Sequence, residues 1–207
     1  MPAKTITLEA RTISYRYRGG QAVFENLNFS MQSGESVALL GPSGCGKSTF
    51  AQILAGYIQP DEGQILIDGK SLPPQGFCPV QLIYQHPEKA LNPRWKLRRS
   101  LTEASNPSPD FLDKMGINAA WLDRFPRELS GGELQRFCIA RALAPQTRFV
   151  VADEISTMLD VITQAQVWEF VLNQVKQRNL GLLTVTHSLE LAKKVSSRIV
   201  LFEELLG

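Results

Sequence analysis

The sequence SVALLGPSGCGKST, residues 36–49, is a short apolar run that leads into glycines, a lysine and two hydroxyl residues. An apolar run of this length indicates a strand buried on both faces, as in a parallel sheet. The pattern G-x-x-x-x-G-K-[ST] predicts a loop whose backbone N–H groups surround phosphate oxygens, followed at once by a helix. Strand, phosphate-binding loop and helix in this order predict an α/β fold that binds a nucleotide.

The residue types of this loop have separate roles in binding phosphate. We expect Lys47 to reach the β- and γ-phosphates of ATP, and the Ser48 hydroxyl to bind Mg²⁺. Cys45 is either a reactive thiol beside the phosphates or a small packing residue, and both interpretations stay open. The residues of the loop predicted to contact ATP are Gly41, Pro42, Ser43, Gly44, Cys45, Gly46, Lys47, Ser48 and Thr49.

Two adjacent acids follow a second apolar run, RFVVADE at residues 148–154. At the carboxyl end of a strand, Asp153 is placed to hold Mg²⁺ directly or through water. Glu154 points elsewhere because it is one residue further on, and it can polarise an attacking water as a general base. With the phosphate-binding loop, this pair predicts ATP hydrolysis that depends on magnesium.

The pattern along the chain predicts a P-loop NTPase core with a mainly parallel sheet, an N-terminal antiparallel β subdomain and an inserted helical subdomain. Asp68-Gly69 is a tight-turn signal between two strand candidates of the N-terminal part. Prolines punctuate short helical pieces after residue 86, such as residues 110–115 and 118–124. We expect one domain, 1–207, in which 1–85 and 145–207 form the ATP-binding core and 86–144 the helical subdomain.

Further helices and strands are expected on both sides of this insertion. Helices are predicted over residues 47–57, 132–144 and 161–178, and strands over 4–9, 24–31, 64–67, 81–85, 148–152, 181–186 and 198–202. On the helix at 161–178, the predicted core-facing side carries Val161, Ala165, Trp168, Leu172 and Val175.

Composition excludes several classes of protein. The 207 residues are 43% hydrophobic and 20% charged, which is ordinary for a folded domain, and the net charge of +2 argues against nucleic acid as the main partner. Three cysteines without a C-x-x-C pair indicate neither a disulfide framework nor a zinc site. The sequence has no apolar run long enough to span a bilayer and no leader pattern, so we expect a cytosolic chain.

The residues LSGGELQR, 129–136, resemble the signature motif of ATP-binding-cassette (ABC) ATPases. Further motifs of that family occur in its order: Gln85 resembles the Q-loop glutamine, residues 156–160 the D-loop, and His187 the switch histidine. Tyr17 resembles the aromatic residue that stacks on adenine, although Tyr15 is an alternative two residues earlier. The likeness covers about residues 4–202.

The resemblance implies a role for each of these motifs. Glu154, His187 and Gln85 would form the catalytic group, and Ser48, Gln85 and Asp153 would bind Mg²⁺. The tip of the signature helix would complete the ATP site of a facing subunit, so that two chains enclose two ATP molecules. Asp160 would be the functional residue of the D-loop. The signature residues expected to contact the facing chain's ATP are Ser130, Gly131, Gly132 and Glu133.

The segment QHPEKALNPR, 85–94, resembles the ATPases of peptide and nickel importers, with His86 where Asp is usual. The basic stretch 94–99 is either a solvated face or part of a groove for a membrane subunit. Met158 replaces the usual small residue of the D-loop. Relatives usually continue beyond the position of Leu206, so this is either a compact member or a shortened chain.

Three functions follow from these motifs. The first is an ATPase that powers import of peptides, nickel or metal-chelate solutes. Its partners would be transmembrane permease subunits, a second ATPase subunit, identical or a sister, and indirectly an extracytoplasmic solute-binding protein. It would lie peripherally on the cytoplasmic side of the cell (inner) membrane. The alternatives are a non-transport ABC ATPase acting on DNA or ribosomes, and a small-molecule kinase with the same loop.

Overall fold

A computed structural model describes residues 5–157 and 159–206. Lys4, where the first strand was predicted to begin, and Met158 of the D-loop lie outside the described residues. The strands are β1 (Thr7–Arg16), β2 (Ala22–Gln32), β3 (Ser36–Leu40), β4 (Glu62–Ile67), β5 (Lys70–Ser71), β6 (Val80–Ile83), β7 (Phe149–Asp153), β8 (Gly181–Thr186) and β9 (Arg198–Leu201). The helices are α1 (Lys47–Leu54), α2 (Pro87–Ala90), α3 (Leu97–Thr102), α4 (Pro109–Lys114), α5 (Gly131–Ala142), α6 (Val161–Arg178) and α7 (Leu189–Val195).

A five-stranded parallel sheet in the order β6-β7-β8-β3-β9 forms the centre of the fold. Strands β3, β7 and β8 are mostly apolar and almost entirely buried, which suits strands covered on both faces. All five run in one direction, so the segments after β3, β6, β7 and β8 emerge at the same edge of the sheet. That edge is where open α/β sheets bind ligands.

The second sheet is antiparallel, in the order β2-β1-β4-β5. Its β4–β5 connection is the predicted tight turn at Asp68-Gly69. Both residues have positive φ, 48° and 73°, as a two-residue hairpin turn of the primed type requires. The two sheets and their helices confirm the predicted fold class, an α/β core with an antiparallel N-terminal part.

The chain between β6 and β7 is helical, as expected for the insertion, and contains α2, α3, α4, α5 and two 3₁₀ turns. The helix predicted at residues 118–124 is wrong. Only Ala119–Trp121 forms a 3₁₀ turn, which Asn118 caps by accepting from the backbone N–H of Ala120. The buried side chains of the insertion pack in one cluster with α6 and one face of the parallel sheet. The division at residues 86–144 therefore stays a prediction.

The predicted core-facing side of α6 is partly wrong, although the bounds of the helix are as predicted. Val161 is 81% exposed, whereas Val167 and Val171 are buried together with Trp168 and Val175. Apolar residues occur on more than one side of this helix, and which side faces the core depends on how the helix lies against the sheet. Periodicity alone could not decide between them.

Candidate active site

The phosphate-binding loop, residues 41–49, joins β3 to α1 in a conformation that depends on glycine. Gly44 and Gly46 have φ values of 81° and 108°, in the left-handed region that other residues rarely adopt. A Cβ on Gly46 would also lie 2.8 Å from Cγ1 of Val23, which leaves no room for a side chain. These glycines keep the backbone N–H groups at the start of α1 accessible to an anion.

Lys47 is the buried cation of this loop, with only 5% of its surface exposed. Its Nζ donates to the carbonyl oxygens of Gly41 and Pro42, at 2.8 and 2.6 Å. The thiol Sγ of Cys45 lies 3.8 Å from the same nitrogen. The ammonium group is thus held at the phosphate-binding loop by neutral acceptors, and no ion pair to it is formed within residues 5–157 and 159–206.

Asp153, at the end of β7, lies beside the start of α1. Burial raises the pKa of this carboxyl above its ordinary value; hydrogen bonding from Ser48 and the charge of Lys47 oppose that rise, and the charge of Glu154 adds to it. Oδ1 of Asp153 is buried and has no hydrogen-bond partner among residues 5–157 and 159–206. A buried carboxylate oxygen without a donor, next to a serine hydroxyl, fits a hard cation such as Mg²⁺.

No group of three or more His, Cys, Asp or Glu side chains within the described ranges is arranged to hold a metal ion. Mg²⁺ bound with a nucleotide does not need such a group, because it takes one or two protein ligands and completes its shell with phosphate oxygens and water. The arrangement of Ser48 and Asp153 therefore fits the predicted role.

Glu154 is the point at which three predicted catalytic residues meet. Its Oε2 accepts from Nε2 of Gln85 at 3.0 Å, and its Oε1 lies 2.8 Å from Nδ1 of His187. The three side chains follow β7, β6 and β8, neighbouring strands of the parallel sheet. Because Gln85 donates its amide nitrogen to Glu154, its carbonyl oxygen is the atom that would coordinate Mg²⁺.

The backbone of Glu154 is unusual for a residue with a side chain, since its φ is +47°. This left-handed conformation costs free energy in a non-glycine residue and is concentrated at functional sites. The backbone N–H of Glu154 donates to the carbonyl of Val185 on β8, which holds the residue in place. The carboxylate is thereby directed toward Gln85 and His187.

The signature tip, residues 130–133, begins α5 with a capping box. Oγ of Ser130 accepts from the backbone N–H of Glu133 at 3.3 Å, and the Glu133 carboxylate accepts from the N–H and the hydroxyl of Ser130 at 2.7 and 2.9 Å. Among the residues that the structure describes, Ser130 forms hydrogen bonds only within its own helix start, and none joins it to the phosphate-binding loop. Within one chain, the structure does not bring these two anion-binding elements together.

The D-loop residues are tied to α6. Oδ1 of Asp160 accepts from the backbone N–H groups of Ile162 and Thr163 at 3.1 and 3.0 Å, and these hydrogen bonds lower its pKa, Thr163 contributing most. Ser156 is buried and accepts from the Trp168 indole at 3.2 Å. Asp160 is therefore the N-cap of α6, and any contact across two chains would be additional to that role.

Tyr17 and Tyr15 were both considered for contact with adenine. Tyr17 is 50% exposed, and its hydroxyl is hydrogen-bonded to Oγ1 of Thr49 at 2.9 Å, next to the phosphate-binding loop. Tyr15 is partly buried and packs near Phe24 of the core, with ring centroids 6.5 Å apart. This placement favours Tyr17, whose contact with adenine stays a prediction.

One residue near the site was not singled out from the sequence. Gln135 lies in the signature helix and donates through Nε2 to the carbonyl of Tyr84, the residue before Gln85, at 3.2 Å. The sequence did contain a signal, because Gln135 belongs to the LSGGELQR motif, but the contact joins residues 51 positions apart. Spacing along the chain cannot predict such a contact.

Comparisons with known proteins agree with this geometry. Residues 24–157 match the family described as ABC transporter. The chain is 32% identical to the nickel import system ATP-binding protein NikE of Staphylococcus aureus strain bovine RF122 / ET3-1, over 95% of this chain and 87% of that protein. NikE of strain MSSA476 is 31% identical with the same coverage.

Solved structures show the same fold. A structure of an ATP-binding subunit of an ABC transporter superposes with a TM-score of 0.81 at 28% identity, over 94% of this chain and 85% of that one. The ATP-binding cassette MJ0796, in a dimeric post-hydrolysis state with ADP and Pi, gives a TM-score of 0.80 at 23% identity, over 94% and 93%. The chain belongs to the ABC transporter family, as one of its ATP-binding and ATP-hydrolysing subunits.

Proposed function

We propose that Glu154 is the general base of ATP hydrolysis, with Gln85 and His187 as the residues that hold it and the attacking water in place. The observation that carries this proposal is the pair of contacts, 3.0 and 2.8 Å, from Gln85 and His187 to the two carboxylate oxygens of Glu154. A carboxylate fixed at both oxygens keeps a constant direction toward its water, which is what proton transfer requires. In this role His187 would also contact the γ-phosphate.

The phosphate-binding loop supplies the positive charge for this reaction. The ammonium of Lys47 and the N–H groups at the start of α1 would stabilise the charge that develops on the transferred phosphoryl group. Mg²⁺, held by Ser48, Asp153 and the carbonyl oxygen of Gln85, would neutralise the β- and γ-phosphates when bound. Tyr17 would stack on the adenine. Residues 1–85 and 145–207 would form the ATP-binding core, and 86–144 the helical subdomain.

The signature tip would act on the nucleotide of a second ATPase subunit, either a copy of this chain or a sister chain. Ser130 is exposed and begins a helix, so its hydroxyl and the first backbone N–H groups of α5 would become available to an anion that displaces the Glu133 carboxylate. The chain has its own phosphate-binding loop elsewhere, and a second anion-binding tip serves best at a facing site. Gly131, Gly132 and Glu133 would contribute at the same place.

The cargo would be nickel, a metal chelate or a peptide. The named relatives are nickel import ATP-binding proteins at 31–32% identity, and this is the support for nickel. The described helices include none that is both long and apolar enough to cross a bilayer. By similarity to these import-system relatives, the chain would act through transmembrane permease subunits, as a peripheral protein on the cytoplasmic side of the cell (inner) membrane, with an extracytoplasmic solute-binding protein delivering the cargo.

The replacement Glu154→Gln tests the general base. It should leave ATP bound and lower the rate of hydrolysis on the order of a hundredfold or more. Glu190→Gln is the matched control, because Glu190 is an exposed carboxylate in the first turn of the neighbouring helix α7. Near-normal turnover in Glu154→Gln, measured by phosphate release, would reject Glu154 as the base.

The cargo is tested by uptake in cells that lack their own nickel importers. Cells that produce this chain with the membrane proteins that co-purify with it should accumulate radioactive nickel, and cells with Glu154→Gln should not. Accumulation of a labelled peptide instead of nickel would assign the chain to peptide import.

A further inference from the structure

The inner face of α5 holds the short segment that carries Gln85. We name residues 84–87 the Q-segment. Two α5 side chains one turn apart donate to its ends: Gln135 to the carbonyl of Tyr84 at 3.2 Å, and the Cys138 thiol to the carbonyl of Pro87 at 3.7 Å. Burial raises the pKa of Cys138 to about 12, so the thiol keeps its proton and can donate. The Q-segment is therefore fixed to α5 on both sides of Gln85.

The orientation of the Gln135 amide is determined by its partner. A carbonyl oxygen can only accept, so the amide must present Nε2 to Tyr84. Gln135 is 2% exposed, and its Oε1 has no hydrogen-bond partner within residues 5–157 and 159–206. A buried acceptor without a donor lowers the stability of the folded chain. Packing stability therefore does not explain a glutamine at this position.

The N-terminal end of the same helix is the signature tip. Ser130 and Gln135 are five positions apart on one continuous helix, which rises about 1.5 Å per residue. A helix of this length moves as a rigid unit, so a shift of Ser130 also shifts Gln135. From Gln135 the path continues through Tyr84 and its neighbour Gln85 to the carboxylate of Glu154.

We propose that Gln135 is a positioning residue. It makes the position of Gln85 relative to Glu154 depend on the position of the signature helix, α5. This inference rests on the proposed function, because it takes Glu154 as the base and Ser130 as the contact with a facing nucleotide. Docking of the signature tip on a second chain would then orient Gln85, and hydrolysis would be fast only when both chains are engaged.

The replacement Gln135→Met tests this link in the full chain. Methionine fills a similar volume but cannot donate, so kcat for ATP hydrolysis should fall on the order of tenfold, with KM for ATP little changed. Gln135→Asn keeps the amide but is one methylene too short to reach Tyr84, and it should give the same loss.

The matched control is Gln81→Met. Gln81 lies at the other end of β6 and makes the same type of bond, from Nε2 to the carbonyl of Cys78 at 2.7 Å. It should leave kcat unchanged, while the midpoints of thermal unfolding of the two methionine variants should be similar. Equal loss of kcat in Gln81→Met and Gln135→Met would overturn the proposal, since both would then act through general loosening of the fold.

A double-mutant cycle separates positioning from a merely structural role. If Gln135 acts through Gln85, Gln135→Met should cause no further loss of kcat in a Gln85→Ala background. Full additivity of the two losses would contradict the proposed link. The proposed function fails separately: normal hydrolysis by Glu154→Gln would reject the base, whereas normal hydrolysis by Gln135→Met beside an inactive Glu154→Gln would reject only the link.

Discussion

The phosphate-binding loop, residues 41–49, and the signature tip, residues 130–133, both begin a helix, and they differ in how they satisfy their polar groups. The loop has a buried lysine that donates to neutral acceptors, two carbonyl oxygens and the sulfur of Cys45. The tip is exposed, and the carboxylate of Glu133 already occupies the N–H and hydroxyl of Ser130. The first element has a buried positive charge held by neutral groups, whereas the polar groups of Ser130 in the second are satisfied within its own chain.

This difference explains how one chain can carry two anion-binding elements with separate partners. When a triphosphate binds, Lys47 loses its hydrogen bonds to carbonyl groups at a small cost in free energy, because a charged hydrogen bond to phosphate replaces them. At the signature tip, the hydrogen bonds from Ser130 to the Glu133 carboxylate must break before Ser130 can bind the phosphate of another chain's nucleotide. We therefore expect ATP to bind first at the loop, and the tip to join only when a second chain brings its nucleotide close.

Lys47→Ala should have the strongest effect of the changes proposed for these two elements. Removal of the buried ammonium should lower kcat/KM for ATP on the order of a thousandfold, because no other cation of the loop replaces it. Lys194→Ala, at an exposed lysine of α7, is the control and should hydrolyse ATP normally. A loss below about tenfold in Lys47→Ala would show that the charge of the loop is dispensable.

A smaller effect, a difference of one in the number of trapped ATP molecules, is expected from a test of whether the two elements act in different chains. The test uses a dimer of two differently tagged copies, and both copies carry Glu154→Gln so that ATP stays trapped. Two further changes, Lys47→Ala and Ser130→Arg, are then placed either on the same copy or on opposite copies. Shared sites predict no trapped ATP when both changes are on one copy, because each site then lacks one element. On opposite copies both changes damage the same site, so one ATP should remain.

Sites confined to one chain would give the reverse result. The unmodified copy would then keep its ATP when both changes are on the other copy, and neither copy would bind ATP normally when the changes are separated. Counting the nucleotide in the isolated dimer distinguishes the two arrangements.

The smallest expected effect concerns stability at the Mg²⁺ site. Burial raises the pKa of Asp153, so the stability linked to this carboxyl is fully present below its ordinary pKa and is lost as the pH rises through the raised value. Without Mg²⁺, Asp153→Asn should therefore raise the free energy of unfolding at about pH 7 by on the order of 1 kcal/mol. The gain should shrink toward about pH 4, because a growing fraction of the wild-type carboxyl binds a proton as the pH falls.

Urea unfolding at both pH values measures this effect, with Asp113→Asn, at an exposed position, as the control. Addition of ATP and Mg²⁺ should reverse the order of stability, because only wild-type Asp153 can hold the cation. A variant that is less stable than wild type at about pH 7 without Mg²⁺ would contradict the argument from burial.

The fold could be predicted from the sequence where local patterns and motifs agree. The strand Ser36–Leu40, the helix Val161–Arg178 and the strand Gly181–Thr186 have the predicted bounds. The exposed Val161 and the 3₁₀ turn at Ala119–Trp121 were not predicted, because both depend on packing against other parts of the chain. Local periodicity carries no information about those contacts.

The candidate site divides in a similar way. The residue types of the phosphate-binding loop and the acids at 153 and 154 follow from chemistry and spacing alone. The contact of Glu154 with both Gln85 and His187 depends on the order of strands β6, β7 and β8, which the sequence does not state. The role of Gln135 depends on a contact between the inserted helices and the parallel sheet, and only the fold reveals it.

The capping box at Ser130 has a consequence for selectivity among anions. A carboxylate that already lies at the helix start repels free phosphate, sulfate and unpaired nucleotides, which would otherwise collect at an exposed helix N-terminus. A nucleotide fixed on a neighbouring chain arrives at a high effective concentration and with part of its charge compensated, so it can displace Glu133 where a dissolved ion cannot. The Glu133 carboxylate thus keeps dissolved anions from binding to the exposed signature tip.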